Sequence, residues 1–279
     1  MVYGTLRKQY GRIGTDGTIV EYPLPTGTAW PYLIASGPDG ALWFTEELGD
    51  KIGRIGTDGT ITEYPVTTTA SFPVGITAGP DGALWFTEVY GNNIGKITTG
   101  GTITEYPAPT ASAAPFAIAK GPDGALWFTE LAGNNVGRIG TDGTITEYAV
   151  PTPGASPYGI ALGPDGNLWF TEWARNQVGQ ITTGGAVTEF PVPYAGSFAY
   201  PGGIATGPDG ALWFTEGPLQ GQIARITTGG QVTEYAVPGL GGGLGYAAWI
   251  AAGPDGALWF TEESGGIGRV PAGTVPPQM

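Results

Sequence analysis

Six glutamates close one recurring stretch: Glu46, Glu88, Glu130, Glu172, Glu216 and Glu262 each end a Leu-Trp-Phe-Thr-Glu pentapeptide. In a repeated unit this is one equivalent position per copy, so rotational symmetry would set the carboxylates in a ring. A carboxylate ring could hold Mg²⁺ or Ca²⁺ through oxygen ligands. Mutual repulsion could also lift a carboxyl pKa far enough for base catalysis. The competing reading is that each glutamate accepts hydrogen bonds from the loop that follows its own strand. A second acidic set, Asp39, Asp81, Asp123, Asp165, Asp209 and Asp255, lies in Pro-Asp-Gly turns. Asp is favoured there for local hydrogen bonding, and we read that set as structural. A third set is aromatic. Tyr32, Phe116, Tyr158, Trp173 and Trp249, with Trp30 and Tyr200, fall on or near loops that could rim a funnel. There they could grip an apolar ring or a sugar; packing between units is the equal alternative. The sequence has no glycine-rich phosphate loop, catalytic triad or zinc signature.

The elements that would position these groups follow from the repeat. Gly-Pro-Asp-Gly starts at Gly37, Gly79, Gly121, Gly163, Gly207 and Gly253, a spacing of 42 residues that widens to 44 and 46. A fixed period of this size marks stacked or radial repeats. Each Leu-Trp-Phe-Thr segment is short, β-prone and bounded by turn residues, which argues for a strand. In the unit 71–110, four strands are expected: 74–78, 83–88, 93–99 and 102–106. Pro107 and Pro109 should end the pairing, because proline cannot donate to a ladder. Four antiparallel strands in about forty residues predict an all-β fold, a β-propeller of four-stranded blades. Along the second strand Leu84, Phe86 and Glu88 share one face while Trp85 and Thr87 share the other. Both faces are largely apolar, as in a sheet packed between two others. The six tryptophans Trp43, Trp85, Trp127, Trp169, Trp213 and Trp259 should therefore be buried at equivalent sites. A charge beside the last proline, as at Glu105, suits an outermost strand protected against edge pairing.

Six repeats are expected, near 31–66, 73–108, 115–150, 157–192, 201–237 and 247–270, in one domain covering 1–279. The N-terminal strands in 10–25 would close the ring. Six blades account for every inner strand; seven blades with one incomplete is the alternative. The least repeated stretches, 191–200, 217–220 and 239–249, are where specificity would be written.

Bulk composition narrows the partners. The chain has 279 residues, 41% of them hydrophobic, which is ample for a core. Its net charge is −13 with only 11 Lys and Arg, so nucleic acid and anionic membrane are poor partners. The absence of cysteine excludes disulfides and thiolate chemistry. No signal peptide and no bilayer-spanning run are read in the chain; a monomer with a small molecule or peptide in the funnel is expected, and the compartment stays open.

The strings Pro-x-Gly-Ile, Gly-Pro-Asp-Gly-Ala-Leu-Trp-Phe-Thr-Glu, Gly-Asn-Asn-x-Gly-(Lys/Arg)-Ile-Thr and Ile-Thr-Glu-Tyr-Pro resemble the virginiamycin B lyase (streptogramin lyase) family, from about Gly11 to Val270. The resemblance implies a seven-bladed propeller that opens the lactone of a cyclic depsipeptide antibiotic by elimination, using histidine, glutamate and Mg²⁺. It places the essential histidines after the proline of the first strand, at positions matching Tyr32, Val74, Phe116, Tyr158, Gly202 and Ala248. It also gives a role to the glutamate at the Glu46-type position. The chain contains no histidine, so the residue that normally supplies a base near pH 7 is missing. Three functions stay open. They are a non-catalytic binding or scaffold propeller, a divergent lyase working through funnel carboxylates and Mg²⁺, and an engineered or recently amplified repeat selected for folding.

Overall fold

The computed structural model describes residues 9–13, 18–27, 29–193, 199–217, 221–237, 247–262 and 266–271. Regular structure among them is strand throughout. A hairpin comes first: β1 (Gln9–Ile13) and β2 (Ile19–Pro23) form a two-stranded sheet. Five four-stranded antiparallel sheets follow, each an unbroken meander. They are β3 (Pro31–Ser36), β4 (Leu42–Glu46), β5 (Lys51–Ile55) and β6 (Ile61–Pro65); then β7 (Pro73–Ala78), β8 (Leu84–Glu88), β9 (Asn93–Ile97) and β10 (Ile103–Pro107). The third contains β11 (Pro115–Lys120), β12 (Leu126–Glu130), β13 (Asn135–Ile139) and β14 (Ile145–Ala149). The fourth contains β15 (Pro157–Leu162), β16 (Leu168–Glu172), β17 (Gln177–Ile181) and β18 (Val187–Pro191). The fifth contains β19 (Pro201–Thr206), β20 (Leu212–Glu216), β21 (Gln222–Ile226) and β22 (Val232–Ala236). A three-stranded sheet of β23 (Ala247–Ala252), β24 (Leu258–Glu262) and β25 (Ile267–Val270) ends the described chain. This is the all-β, six-bladed propeller architecture that the repeat predicts.

Strand positions match the expectation closely, with one difference. The fourth strand takes in its proline: Pro107 is in register with Asn93. A proline at the end of an edge strand loses only a donor that faces outward, so the ladder tolerates it.

The chain divides into two compact units, one of Met1–Lys120, Gly124–Phe128 and Arg138–Thr146, the other of Gly121–Asp123, Thr129–Gly137 and Glu147–Met279. In each unit the repeated tryptophan is the centre of the packing. Trp43, Trp85, Trp127 and Trp169 are fully buried, Trp213 nearly so, and Trp259 is half-buried. In the first unit Trp43 stacks on Tyr64 at 5.6 Å and packs with Ile76, Leu84 and Ile97 of the next blade. Trp85 likewise stacks on Tyr106 at 5.7 Å among Ile118, Leu126 and Ile139. The indole Nε1–H of Trp85 donates to Asp81 Oδ1 at 3.1 Å, and Lys96 Nζ pairs with Asp81 Oδ2 at 2.6 Å while lying 5.2 Å from the indole centroid. The Pro-Asp-Gly aspartate is thus the polar partner that a buried tryptophan needs. Glycine is required at Gly95, where a Cβ would overlap the ring of Phe86.

Candidate functional site

The second-strand threonine decides where the variable residues stand. Thr129 Oγ1 donates to the carbonyl of Tyr158 at 2.6 Å, Thr171 to that of Gly202 at 2.7 Å and Thr215 to that of Ala248 at 3.1 Å. In the other unit Thr45 binds the carbonyl of Val74, and Thr87 that of Phe116. Each threonine therefore holds the next first strand at the residue two places into it. That residue sits in a bulge: register shifts between Pro157 and Ile160, and between Pro201 and Ile204. Bulges re-aim side chains and are common beside binding sites. With the backbone fixed by threonine, the side chain at this position is free to vary.

Four aromatic rings meet there in the second unit. Tyr158 on β15 stacks on Trp173, just after β16, at 5.1 Å, and on Trp249 of β23 at 5.8 Å. Trp173 also contacts Tyr200, just before β19, at 5.2 Å. All four are half-buried. Between β15 and β23 lies β19, whose Gly202 and Gly203 carry no side chain to separate Tyr158 from Trp249. A Cβ on Gly203 would lie 2.9 Å from the Trp249 ring. Tyr200 adopts φ 48°, a conformation that costs a non-glycine residue about 1–2 kcal/mol. Asn176 Oδ1 holds it there by accepting the N–H groups of Ala199 at 2.8 Å and Tyr200 at 3.4 Å. In the first unit Tyr32 and Phe116 meet edge to face at 6.1 Å, across β7 with its Gly75. The five aromatics expected from sequence thus form two groups, Tyr32 with Phe116, and Tyr158 with Trp173 and Trp249.

The glutamates behave differently. Glu46, Glu88, Glu130, Glu172 and Glu216 are fully buried, while Glu262 is half-buried. Each lies inside its own blade: Glu88 Oε2 accepts from Asn93 Nδ2 at 2.9 Å and Glu130 Oε2 from Asn135 Nδ2 at 2.8 Å. Among the described residues, both carboxylate oxygens of Glu46, Glu172 and Glu216 find no donor. Burial, reinforced by the neighbouring fourth-strand Glu105, raises the pKa of Glu88 to about 8. Burial does the same to Glu130, Glu172 and Glu216, and lifts Glu46 to about 7 with help from Glu63. Glu63 and Glu105 move the other way: although burial opposes it, hydrogen bonds from Lys51 and Thr26, and from Thr67 and Thr68, hold them low. Within each such pair the enclosed carboxyl holds its proton to a higher pH than its fourth-strand partner. Carboxyls enclosed one by one in separate blades are poor cation ligands, and among the described residues no three acidic side chains gather as a metal site. These residues do not fit a Mg²⁺ ion, and no chemistry is routed through one.

Sequence reading named Trp249 among the aromatics but passed over Glu47. Trp249 occupies the position held by Gly75, Ala117, Gly159 and Gly203 in the other first strands, and this departure from a small residue was the available signal. Glu47 occupies the position of Trp173; it is half-buried, and burial raises its pKa. Its signal was likewise variation within the repeat, where Val89, Leu131, Trp173, Gly217 and Glu263 stand in the other copies. Much of the stretches 191–200, 217–220 and 239–249 lies outside the described residues.

The sequence profile of the virginiamycin B lyase family matches residues 4–169 and 162–276. The chain belongs to this family. It is similar to virginiamycin B lyase from Staphylococcus aureus, with 42% identity over 94% of this chain and 87% of that one, at a TM-score of 0.87. A streptogramin B lyase structure matches at 39% identity over 94% and 86% of the two chains, TM-score 0.87. A catalytically inactive virginiamycin B lyase from Staphylococcus aureus solved with quinupristin matches at 41%, over 94% and 87%, again at 0.87. A putative gluconolactonase, at 17% identity over 86% and 88% and TM-score 0.63, shares the fold alone. No curated protein sequence matches the chain.

Proposed function

We propose that this member of the virginiamycin B lyase family is a binding propeller that takes an aromatic-bearing cyclic depsipeptide of the streptogramin B class and does not open it by the histidine route. The stack of Tyr158 on Trp173 and Trp249 carries this reading. Its half-buried rings suit a flat apolar group, as aromatic-walled pockets do, and a relative has been solved with quinupristin. The chain has no histidine, and general-base assistance is worth about 10²–10⁴-fold. The test titrates a type B streptogramin into the purified protein by calorimetry while mass spectrometry follows ring opening. Saturable binding without turnover is expected, with affinity falling about tenfold in Trp249→Ala. Absence of binding, or ring opening at the rate of a family enzyme, would overturn it.

A divergent lyase is the second reading, and Glu47 favours it. Its raised pKa moves in the direction a general base requires. Ring opening that disappears in Glu47→Gln would establish it.

A further inference from the structure

Two copies of one blade position are built alike and carry different chemistry. Pro31 lies opposite Glu46 as Pro157 lies opposite Glu172, and each first strand then bulges before Ile34 or Ile160 resumes the pairing. The Glu47 N–H donates to the Trp30 carbonyl at 3.0 Å, and the Trp173 N–H to that of Ser156 at 3.2 Å. The next crossover repeats too. Asp50 Oδ1 accepts the N–H groups of Ser71 at 2.9 Å and Phe72 at 3.2 Å, as Asn176 Oδ1 accepts those of Ala199 and Tyr200. Phe72 and Tyr200 share the left-handed backbone, at φ 55° and 48°. The side chain of Glu47 therefore leaves the backbone where the Trp173 indole does, with Tyr32 in the place of Tyr158 and Phe72 in the place of Tyr200.

An indole at this position completes a stack of rings, and a carboxyl does not. Trp173 lies 5.1 Å from Tyr158 and 5.2 Å from Tyr200. In the first unit Glu47 is smaller than that indole, and Ala117 stands where β23 carries Trp249. Two aromatic walls remain, Tyr32 and Phe72, both half-buried. Tyr90, 71% exposed, meets Phe72 edge to face at 4.5 Å and extends the second wall. Burial is the one influence that raises the Glu47 pKa, so neither a hydrogen bond nor a cation among the described residues offsets it. A half-buried carboxylate of this kind is completed by a cation that brings N–H donors, and aromatic faces attract the same cation.

We propose that the first unit carries a binding subsite for a protonated arylalkylamine, whose ammonium pairs with Glu47 and whose ring lies against Tyr32 and Phe72. The net charge of −13 favours the approach of a cation over that of an anion. The subsite differs from the stack of Tyr158, Trp173 and Trp249 in the sign of ligand it selects. That stack offers ring faces alone, whereas this one adds a carboxylate that a neutral ring leaves without a partner. The proposal is independent of the streptogramin reading, which rests on the residues of the second unit.

The probe is phenethylamine, protonated at neutral pH, titrated into the full-length protein by calorimetry beside its neutral counterpart 2-phenylethanol. Neither compound has a lactone, so binding is read apart from any ring opening by Glu47. Saturable binding of the amine is expected, with the alcohol weaker by about tenfold. Glu47→Gln should remove that preference, and Phe72→Ala should weaken the amine by about threefold. The comparison of two ligands leaves the protein untouched, so a folding defect cannot mimic the result. No binding of the amine, equal binding of amine and alcohol, or a preference that survives Glu47→Gln overturns the proposal.

Discussion

The two ends of each second strand carry repeated carboxylates with opposite properties. At the entrance, Asp81 is partly exposed; burial works against its charge, but hydrogen bonds from Lys96 and Trp85 outweigh it and hold the pKa low. At the exit, five residues further along the strand from Ala83, Glu88 is enclosed and burial pushes its pKa to about 8. Six similar copies of an acidic residue therefore say nothing about charge until their partners are known. Asp39, Asp81, Asp165, Asp209 and Asp255 accept from the indole of their own blade, while Glu46, Glu88, Glu130, Glu172 and Glu216 are enclosed and burial raises their pKa. Among the described residues no three acidic side chains of either set gather as a metal site.

The largest expected effect is on the pH dependence of stability. Unfolded glutamates ionise near about 4.3, whereas Glu46 titrates at about 7 and Glu88, Glu130, Glu172 and Glu216 at about 8 in the fold. For these raised groups the stabilisation is complete below the unfolded value and is lost as pH rises toward the folded one. The lowered aspartates act oppositely, their contribution vanishing as pH falls below about 3.9. Thermal unfolding should therefore show its highest midpoint near pH 4–5 and a steady decline to pH 8. Glu172→Gln should flatten that decline and melt higher than the unmodified protein at pH 8. A midpoint that rises from pH 5 to 8 would remove the distinction between the two ends.

Next comes the indole between them. Trp169 is fully buried and stacks on Phe190 at 5.3 Å, so Trp169→Ala should cost about 3–5 kcal/mol in urea unfolding. Trp259 is only half-buried, and Trp259→Ala should cost less than half as much. Equal costs would show that burial of the ring is not what stabilises the blade.

The smallest effect belongs to the entrance aspartate. Asp81→Ala removes the acceptor for Trp85 and the partner of Lys96. A loss of about 1–2 kcal/mol is expected, shrinking in high salt because part of it is a partly exposed ion pair. A salt-independent loss would assign the whole effect to the indole hydrogen bond.

What the sequence by itself determined is what lies within a few residues. The strand Leu84–Glu88 is legible from its composition and flanking turns, and Asp81 reaches Trp85 across a single turn. The expectation of six buried tryptophans holds for five, with Trp259 half-buried. The reading of Glu88 and Glu130 as acceptors within their own loops was available because Asn93 and Asn135 follow five residues later. Only tertiary structure decided which aromatics meet. Tyr158 stacks on Trp249 two repeats away, past Gly203, where a Cβ would lie 2.9 Å from the Trp249 ring, and Tyr32 meets Phe116 across the strand that separates them. Spacing along a chain fixes the face a residue occupies on its own sheet. The separation of two such faces depends on how sheets pack, and on the side chains absent from the strand between them.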